Sequence, residues 1–569
     1  MSSPCSGVCW RCEARSEDET RPKLKRWKRF LRASQATFAA LTTSRNRNSY
    51  VSWRRRLRVE VAGRKITKYG IALLCIVLVG AFLRVYHLTA GSIWLDEAYS
   101  VWISGLSAPQ IVQAAAPDVH PPLYYFLLHY WMMIFGTSES AVRLLSVLFG
   151  VLAIPMIYVV GRQLFNKEAG LVAALILALS SFNIYYSQET RMYSLMVLLA
   201  LLSMYFFWRF LQQGTLVSSV GYVLSTTLLV YTHYYGWFVV IAENIYVVTL
   251  LLLSKHRVYR LRDWAVLQAI IVALFVPWMV ILVNQVLRRE AATTWLAAPT
   301  IATLASTFIS YSGTGALFLL FVGLSVLSLF AYQKVRGSMS WKAPLKALEG
   351  YVWEVHFQNA APLYFLAVWL LAINLIPFVV SRVSAPIYNG FYTIAASVAL
   401  YLLVAKGISN FNFRPAKVAV VGVIVVLSVA NLQVYASGLK PDGRGATAFV
   451  DANADSGDVV LISPNYHNLV FDYYNNRTDI AVKPIQSWAV TNKPTNYWAT
   501  PSGNRSEDKI TEIQSDVSGH DRVWFFDASY EGAKAADNFT LAILNESYAN
   551  VYVKHFFGGY DMYLFEKRA

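Results

Sequence analysis

Uncharged apolar runs dominate the chain, and they come in blocks rather than at amphipathic spacing. Residues 144–160, 169–186, 192–208 and 418–434 hold no charged side chain, and each is close to the roughly 20 residues a helix needs to cross a hydrocarbon core. Followed along the whole chain, the pattern predicts membrane helices over 69–87, 142–161, 169–186, 191–209, 216–232, 237–254, 264–284, 313–332, 361–380, 387–405 and 418–436, about eleven spans. The run 122–135 is shorter, carries His129 and several aromatics, and reads as a helix lying at the membrane surface. From Ser437 the chain turns polar. Within it 459–462, 523–526 and 551–557 read as strands, and 443–452, 468–474 and 535–544 as helices. The expected fold class is thus mainly α, a polytopic membrane helical bundle with a C-terminal non-cytoplasmic α/β domain. Its divisions are a basic tail over 1–68, a membrane domain over 69–436 with a long outer loop at 88–141, and a soluble domain over 437–569.

Composition agrees with this pattern. Of 569 residues 56% are hydrophobic and 15% charged, too few charges to cover a water-soluble core of that size. The formal charge of +17 would suggest nucleic acid, but most of the excess lies in the first seventy residues, among them Lys23, Lys25, Arg26, Lys28, Arg54, Arg55, Arg56 and Arg58. Positive charge before a first span holds that end in the cytoplasm, and a disordered basic tail on anionic lipid accounts for it. No folded reading surface for nucleic acid is visible. With 122–135 lying flat, Arg162, Lys167, the basic cluster Lys255–Arg262, Lys334–Lys346, Arg414 and Lys417 all fall on the cytoplasmic side, and the C-terminus falls outside. The host membrane is the plasma membrane in a bacterium or the endoplasmic reticulum in a eukaryote. Cys5, Cys9 and Cys12 have an iron–sulfur-like spacing, but in a polar tail without a barrel chance explains it better.

The chemistry gathers in loops on the outer side. Asp96 and Glu97 follow the first span directly, and paired carboxylates at an interface need water, a cation or a reacting group. Asp118, His120 and Tyr124 come next, with Asp118 placed to cap the helix that Pro122 begins. Arg84 reads as snorkelling outward from the first span. After the third span, Glu189, Arg191 and Tyr193 face the same compartment, and Glu189 and Arg191 there suit a mutual ion pair. Carboxylates to activate a nucleophile and cations to meet a departing phosphate are the parts glycosyl transfer requires.

The ordered set Trp94-Leu95-Asp96-Glu97-Ala98-Tyr99, Asp118-Val119-His120-Pro121-Pro122-Leu123-Tyr124-Tyr125, Ser187-Gln188-Glu189-Thr190-Arg191-Met192-Tyr193 and Thr232-His233-Tyr234-Tyr235 resembles the C-type glycosyltransferase superfamily. The branch is that of bacterial membrane enzymes related to protein O-mannosyltransferases and lipid A aminoarabinose transferases. The resemblance covers about 69–408. It implies a polyprenyl-phosphate sugar donor, a lipid, glycan or protein hydroxyl as acceptor, Asp96 as the catalytic acid–base residue with Glu97 beside it, and an inverting displacement. Asp118, His120, Tyr124, Glu189, Arg191, Tyr193, His233, Arg288 and Arg382 are then expected to bind donor phosphate or acceptor. In one departure, Phe391 stands where such enzymes often carry an arginine before a tyrosine; if that arginine helps hold lipid phosphate, either Arg382, Arg288 or Arg289 compensates or donor affinity or identity has shifted. The sequence names no cofactor with certainty, and a divalent cation held by Asp96, Glu97, His120 and Glu189 stays open. The competing reading is a lipid-linked sugar flippase or other transporter, for which Glu243 and Asn244 inside a span would mark the pathway.

Overall fold

The computed structural model describes residues 68–118, 120–253, 261–287, 296–334, 351–354, 360–436, 440–485, 506–528 and 534–568. The basic tail, Arg288, Arg289, Cys5, Cys9 and Cys12, and the Lys255–His256–Arg257 cluster lie outside the described residues.

The membrane part opens with α1 (Lys68–Val85), followed by three short helices of the first loop, α2 (Leu95–Ser104), α3 (Ala108–Ala115) and α4 (Leu123–Phe135). The bundle continues with α5 (Glu139–Leu164), α6 (Lys167–Leu179), α7 (Ser181–Ser187), α8 (Tyr193–Gln213), α9 (Leu216–Thr232), α10 (Gly236–Leu253) and α11 (Leu261–Leu287). It closes with α12 (Ile301–Ser312), α13 (Gly315–Leu327), α14 (Ala360–Val383), α15 (Ser397–Asn410) and α16 (Arg414–Ala436). Among the described residues six helices are long and apolar enough to cross a membrane, or eight if each of two bent pairs is one span. The chain is a multi-pass membrane protein.

Breaks in the helices matter for the site. The expected single span 169–186 is α6 plus α7, bent by 60°, with Ser180 capping α7 through the Asn183 amide. The break leaves the Leu177 and Ala178 carbonyls without helical partners, and unpaired carbonyls in hydrocarbon are costly. Arg84 fills them. It is fully buried, donates to both carbonyls and to Ser187 Oγ, and so does not snorkel outward as its sequence position suggested. The expected span 313–332 is a second correction: α12 precedes it unforeseen and meets α13 at 87°, turning at Gly313, whose φ of 96° only glycine adopts freely. Nor is 387–405 a continuous helix. Residues 387–393 are a non-helical stretch leading to a short 3-10 turn at Ile394–Ala396 and then α15, which carries Phe391 and Tyr392 into the bundle.

Helix α4 divides into two faces. Tyr124, Tyr125 and Leu128 are buried, whereas Tyr130, Met133, Ile134 and Phe135 are exposed, the distribution expected of a helix half-sunk at an interface. Asp118 does not cap it. Pro122 occupies the N-cap with no side-chain hydrogen bond, because the Asp118 carboxylate is drawn to His120 and Tyr125 instead.

A two-stranded antiparallel ribbon, β1 (Ala331–Lys334) and β2 (Tyr351–Glu354), lies between α13 and α14, and the C-terminal part is a five-stranded sheet that follows α17 (Gly443–Asn453). Its strands are β3 (Val459–Ser463), β4 (Ala481–Pro484), β5 (Arg522–Asp527), β6 (Tyr548–Phe556) and β7 (Tyr560–Lys567), in the order β4-β3-β5-β7-β6. β3 runs parallel to β4 and β5, while β7 is antiparallel to β5 and β6. Helices α18 (Asn468–Tyr474), α19 (Ser506–Val517) and α20 (Lys534–Ser547) complete it. β3 is buried along its whole length, as a parallel strand covered on both faces should be. Val459, Leu461, Val523 and Phe525 pack with Ile513, Val517, Ile543 and Leu544 on one face. Val460, Ile462, Trp524 and Phe526 join Ala446, Val450 and Val470 in the same apolar cluster that fills the membrane bundle. The sequence pattern had placed three of these strands and three of these helices. β4, β7 and α19 were not foreseen.

Candidate active site

Asp96 and Glu97 occupy the first turn of α2, where a carboxylate is favoured by the helix dipole. Their surroundings differ completely. Glu97 is fully buried and saturated: Oε1 accepts from Arg143 Nε at 2.8 Å and the Thr190 amide at 2.9 Å, and Oε2 from Arg143 Nη2 at 2.7 Å and Lys440 Nζ at 2.9 Å. Burial works to raise its pKa, but the Lys440 and Arg143 charges outweigh that and hold it down to about 2. Arg143 spends its remaining donors on the Leu88, Gly91 and Ser92 carbonyls. One guanidinium therefore fixes both the start of the first outer loop and the acid within it.

Among the described residues the Asp96 carboxylate has no such ties. Its side chain is 26% exposed, and its cationic neighbour is Arg191, with Nε 3.9 Å from Oδ2. Arg191 is buried, donates to the Asp96 carbonyl and to Ser100 Oγ, and its Nε has no hydrogen-bond partner among the described residues. Glu189 and Arg191 do not pair with each other as the sequence suggested. Arg191 turns to Asp96, and Glu189 faces Lys440 at 3.9 Å. Burial, with Glu97 and Asp96 adding to it against Lys440, raises the Glu189 carboxyl to about 7.

His120 Nδ1 lies 3.4 Å from Asp118 Oδ2 and 3.5 Å from Arg191 Nη2. Tyr125 donates to the same Asp118 oxygen at 2.8 Å. Burial opposes the Asp118 charge, yet His120, Arg191 and Tyr125 together keep its pKa below the ordinary value. The loop backbone here is clamped from α11, since Gln285 donates to the Ala116 and Asp118 carbonyls. His233, just past α9, accepts from the Tyr235 amide on Nδ1 and stands edge-on to His120 with ring centres 5.1 Å apart. Burial, His120 and Arg191 all depress its pKa, so it is neutral. Tyr392 packs on both imidazoles. Tyr124 hydrogen-bonds Ser146, whose hydroxyl also donates to the Arg191 carbonyl.

Tyr193 stacks on Tyr392 and lies beside the His233 ring, so Asp96, Asp118, His120, Tyr124, Glu189, Arg191, Tyr193 and His233 are brought into one region. Arg382 is not: it is exposed in the last turn of α14. Arg288 lies outside the described residues. Phe391, in the place of the expected arginine, packs between Tyr186 and Tyr193, and the buried cation beside Asp96 among the described residues is Arg191. Arg143 and Lys440 were missed from sequence. Arg143 sits at the start of an apolar run, and an ionisable group so placed is itself a functional signal. Among the described residues no three His, Cys, Asp or Glu side chains form a metal-binding group. Of the four weighed for a cation, Glu97 has every lone pair engaged by donors.

Residues 119–282 match the family model described as dolichyl-phosphate-mannose-protein mannosyltransferase. No curated protein matches the sequence. Among solved structures, ArnT from Cupriavidus metallidurans in the apo state aligns with a TM-score of 0.56 at 12% identity, over 87% of this chain and 97% of that one. The same protein bound to undecaprenyl phosphate aligns with a TM-score of 0.54 at 13% identity, over 88% and 98%. At such identity the likeness is one of fold.

Proposed function

We propose that this chain is a C-type membrane glycosyltransferase that moves a sugar from a polyprenyl-phosphate donor to a hydroxyl acceptor at the outer or luminal membrane face, with Asp96 as general base, a reading supported by the family model over 119–282 and the shared fold. The observation that carries the reading is the split between the two adjacent acids. Glu97 is consumed by buried cations, while Asp96 keeps a partly open carboxylate beside a fixed guanidinium. In the step proposed, the acceptor O–H proton passes to Asp96 as the oxygen attacks the anomeric carbon. The bond from that carbon to the phosphate oxygen breaks, and polyprenyl phosphate leaves with the electron pair, giving inversion. Arg191, held by Ser100 and the Asp96 carbonyl, stabilises the departing charge without reorganising. His120, Asp118 and His233 shape the donor side. ArnT binds undecaprenyl phosphate, which supports a lipid-phosphate donor for the shared fold.

The topology that goes with this reading has eleven spans, counting each bent pair once and adding α9, α10 and the 394–410 segment to the six long helices. The N-terminus is then cytoplasmic and the C-terminal domain outside. The transporter reading loses its main support, because Glu243 accepts from Ser203 and Tyr222, and Asn244 bonds Gln268 and accepts from Trp264. These intramembrane groups tie helices together.

The test is Asp96→Asn, which keeps size and removes the base. Purified protein supplied with a panel of polyprenyl-phosphate sugars, with products read by mass spectrometry and anomeric configuration by NMR, should show transfer falling roughly 100-fold or more. A normally inserted variant transferring at the wild-type rate refutes the assignment.

A further inference from the structure

The segment after the last membrane helix meets the catalytic loop through a continuous polar seam. Lys440 Nζ bonds Glu97 Oε2 at 2.9 Å and the Gln188 carbonyl at 3.4 Å, lies over the Tyr185 ring, and stands 3.9 Å from Glu189. Its side chain is only 10% exposed. Two residues on, Asp442 accepts from Ser92 Oγ at 3.0 Å. Arg444 clasps Glu139 with two nitrogens and donates to the Thr89 carbonyl. From α18, Tyr474 accepts from the Ile93 amide at 2.6 Å and donates to Glu139, while Tyr473 donates to the Thr137 carbonyl.

On the membrane side, several of these bonds fall on residues 89–97, the stretch that delivers Asp96. A tether serving only to anchor a soluble domain would need no buried cation. Burying an ammonium is costly unless its partners are fixed, and here the partners are Glu97, next to Asp96 on α2, and Glu189, in the loop after α7. Glu97 already has Arg143 as counter-ion, so neutralising Glu97 does not by itself require Lys440. What Lys440 adds is charge next to Glu189 and a mechanical link from the C-terminal domain to the loop.

We infer that the C-terminal domain is a working part of the transfer site, and that Lys440 is the positioning residue through which it holds the Asp96 loop and sets the charge between Glu97 and Glu189. The inference rests on the transferase reading for its kinetic consequences but not for the docking itself. Glu189 is faced by Lys440, Glu97, Asp96 and the neutral Tyr185 hydroxyl, so loss of Lys440 leaves two carboxylates and a phenol, with no cation among them.

The experiment uses the full chain in nanodiscs and compares wild type, Lys440→Met, Lys440→Arg and Arg444→Met. Hydrogen exchange over 88–104 is measured without ligand, and transfer is measured with polyprenyl-phosphate mannose as the probe donor across pH 5–9. Lys440→Met is expected to raise exchange in 88–104, lower kcat at least tenfold with less change in donor KM, and shift the limb near pH 7 upward. Lys440→Arg should restore both readouts, and Arg444→Met, at the exposed end of the seam, should move the rate least. Unchanged exchange and an unchanged pH profile in Lys440→Met overturn the inference. If wild type transfers nothing from any lipid-phosphate sugar while the exchange effect appears, the transferase reading fails and the docking stands. Should Lys440→Met not insert, the double variant Ser92→Ala with Asp442→Ala loosens the same seam without stranding a buried charge, and there raised exchange over 88–104 with a lowered kcat supports the inference while unchanged exchange and rate overturn it.

Discussion

Replacing Glu97 by Gln exchanges a charge for an amide of nearly the same shape, at a fully buried site. The glutamine carbonyl can still accept two of the four hydrogen bonds. The amide nitrogen, however, would point N–H groups at Arg143 Nη2 or Lys440 Nζ, donor against donor. Removing one partner of a buried ion pair typically costs 3–5 kcal/mol. Two features of the cluster moderate that figure. Arg143 retains its three backbone carbonyl partners, and Lys440 can turn toward Glu189, 3.9 Å away. The expected loss is therefore near the lower limit, about 3 kcal/mol. In a membrane protein of this size the loss should appear as a lower thermal midpoint in detergent and as greater proteolysis of the first outer loop, with activity falling alongside. Asp96→Asn makes the contrast. A partly exposed carboxylate 3.9 Å from its cation contributes about 1 kcal/mol or less, so that variant should melt with the wild type while losing transfer. A Glu97→Gln protein that is as stable as wild type and has lost only activity would refute the division of labour between the two acids.

Glu189, raised to about 7 from an ordinary 4.5, contributes stability that is fully present below pH 4.5 and is lost as pH rises through 7. The thermal midpoint of wild type should fall between pH 5 and 8, and Glu189→Gln should flatten that dependence. Asp118→Asn keeps an acceptor for Tyr125 but removes the charge opposite His120, so a loss of about 1.5 kcal/mol is expected from the weakened charged hydrogen bonds, read by the same melt. A cysteine placed at Ser456 should react with a membrane-impermeant thiol reagent from outside, and one at Arg257 should react only after permeabilisation. Labelling of both from one side would break the topology.

The six long apolar helices were legible because hydrocarbon leaves the chain little choice. A helix must bury its own backbone polar groups and present about 20 apolar residues to lipid, and that constraint is written in uncharged runs such as 144–160. Where another part of the protein supplies the missing partner, the local pattern fails. The α6–α7 break is tolerated because Arg84, 93 residues from Leu177, takes the freed carbonyls, and no window around Ser180 contains that information. β7 goes unseen for a related reason: Asp561 and Glu566 dilute its apolar alternation, and its buried residues gain their meaning only from the strands beside it.

The site shows the same division between local and distant information. The Asp96-Glu97 pair stands out in the sequence, but there the two acids look equivalent. They cease to be equivalent once Leu95–Ser104 is helical, since neighbouring residues on a helix project about 100° apart and cannot share a face. One carboxylate must then turn toward the interior if the other turns toward an opening. Which one turns inward is set by Arg143, 46 residues away, and Lys440, 343 residues away. Each of these cations reads locally as part of an ordinary boundary, one at the start of an apolar run and the other at the end of a linker. It follows that the reactive acid can be named from the motif only after the buried one has been assigned its partners, and those partners come from a membrane helix and from the C-terminal segment together.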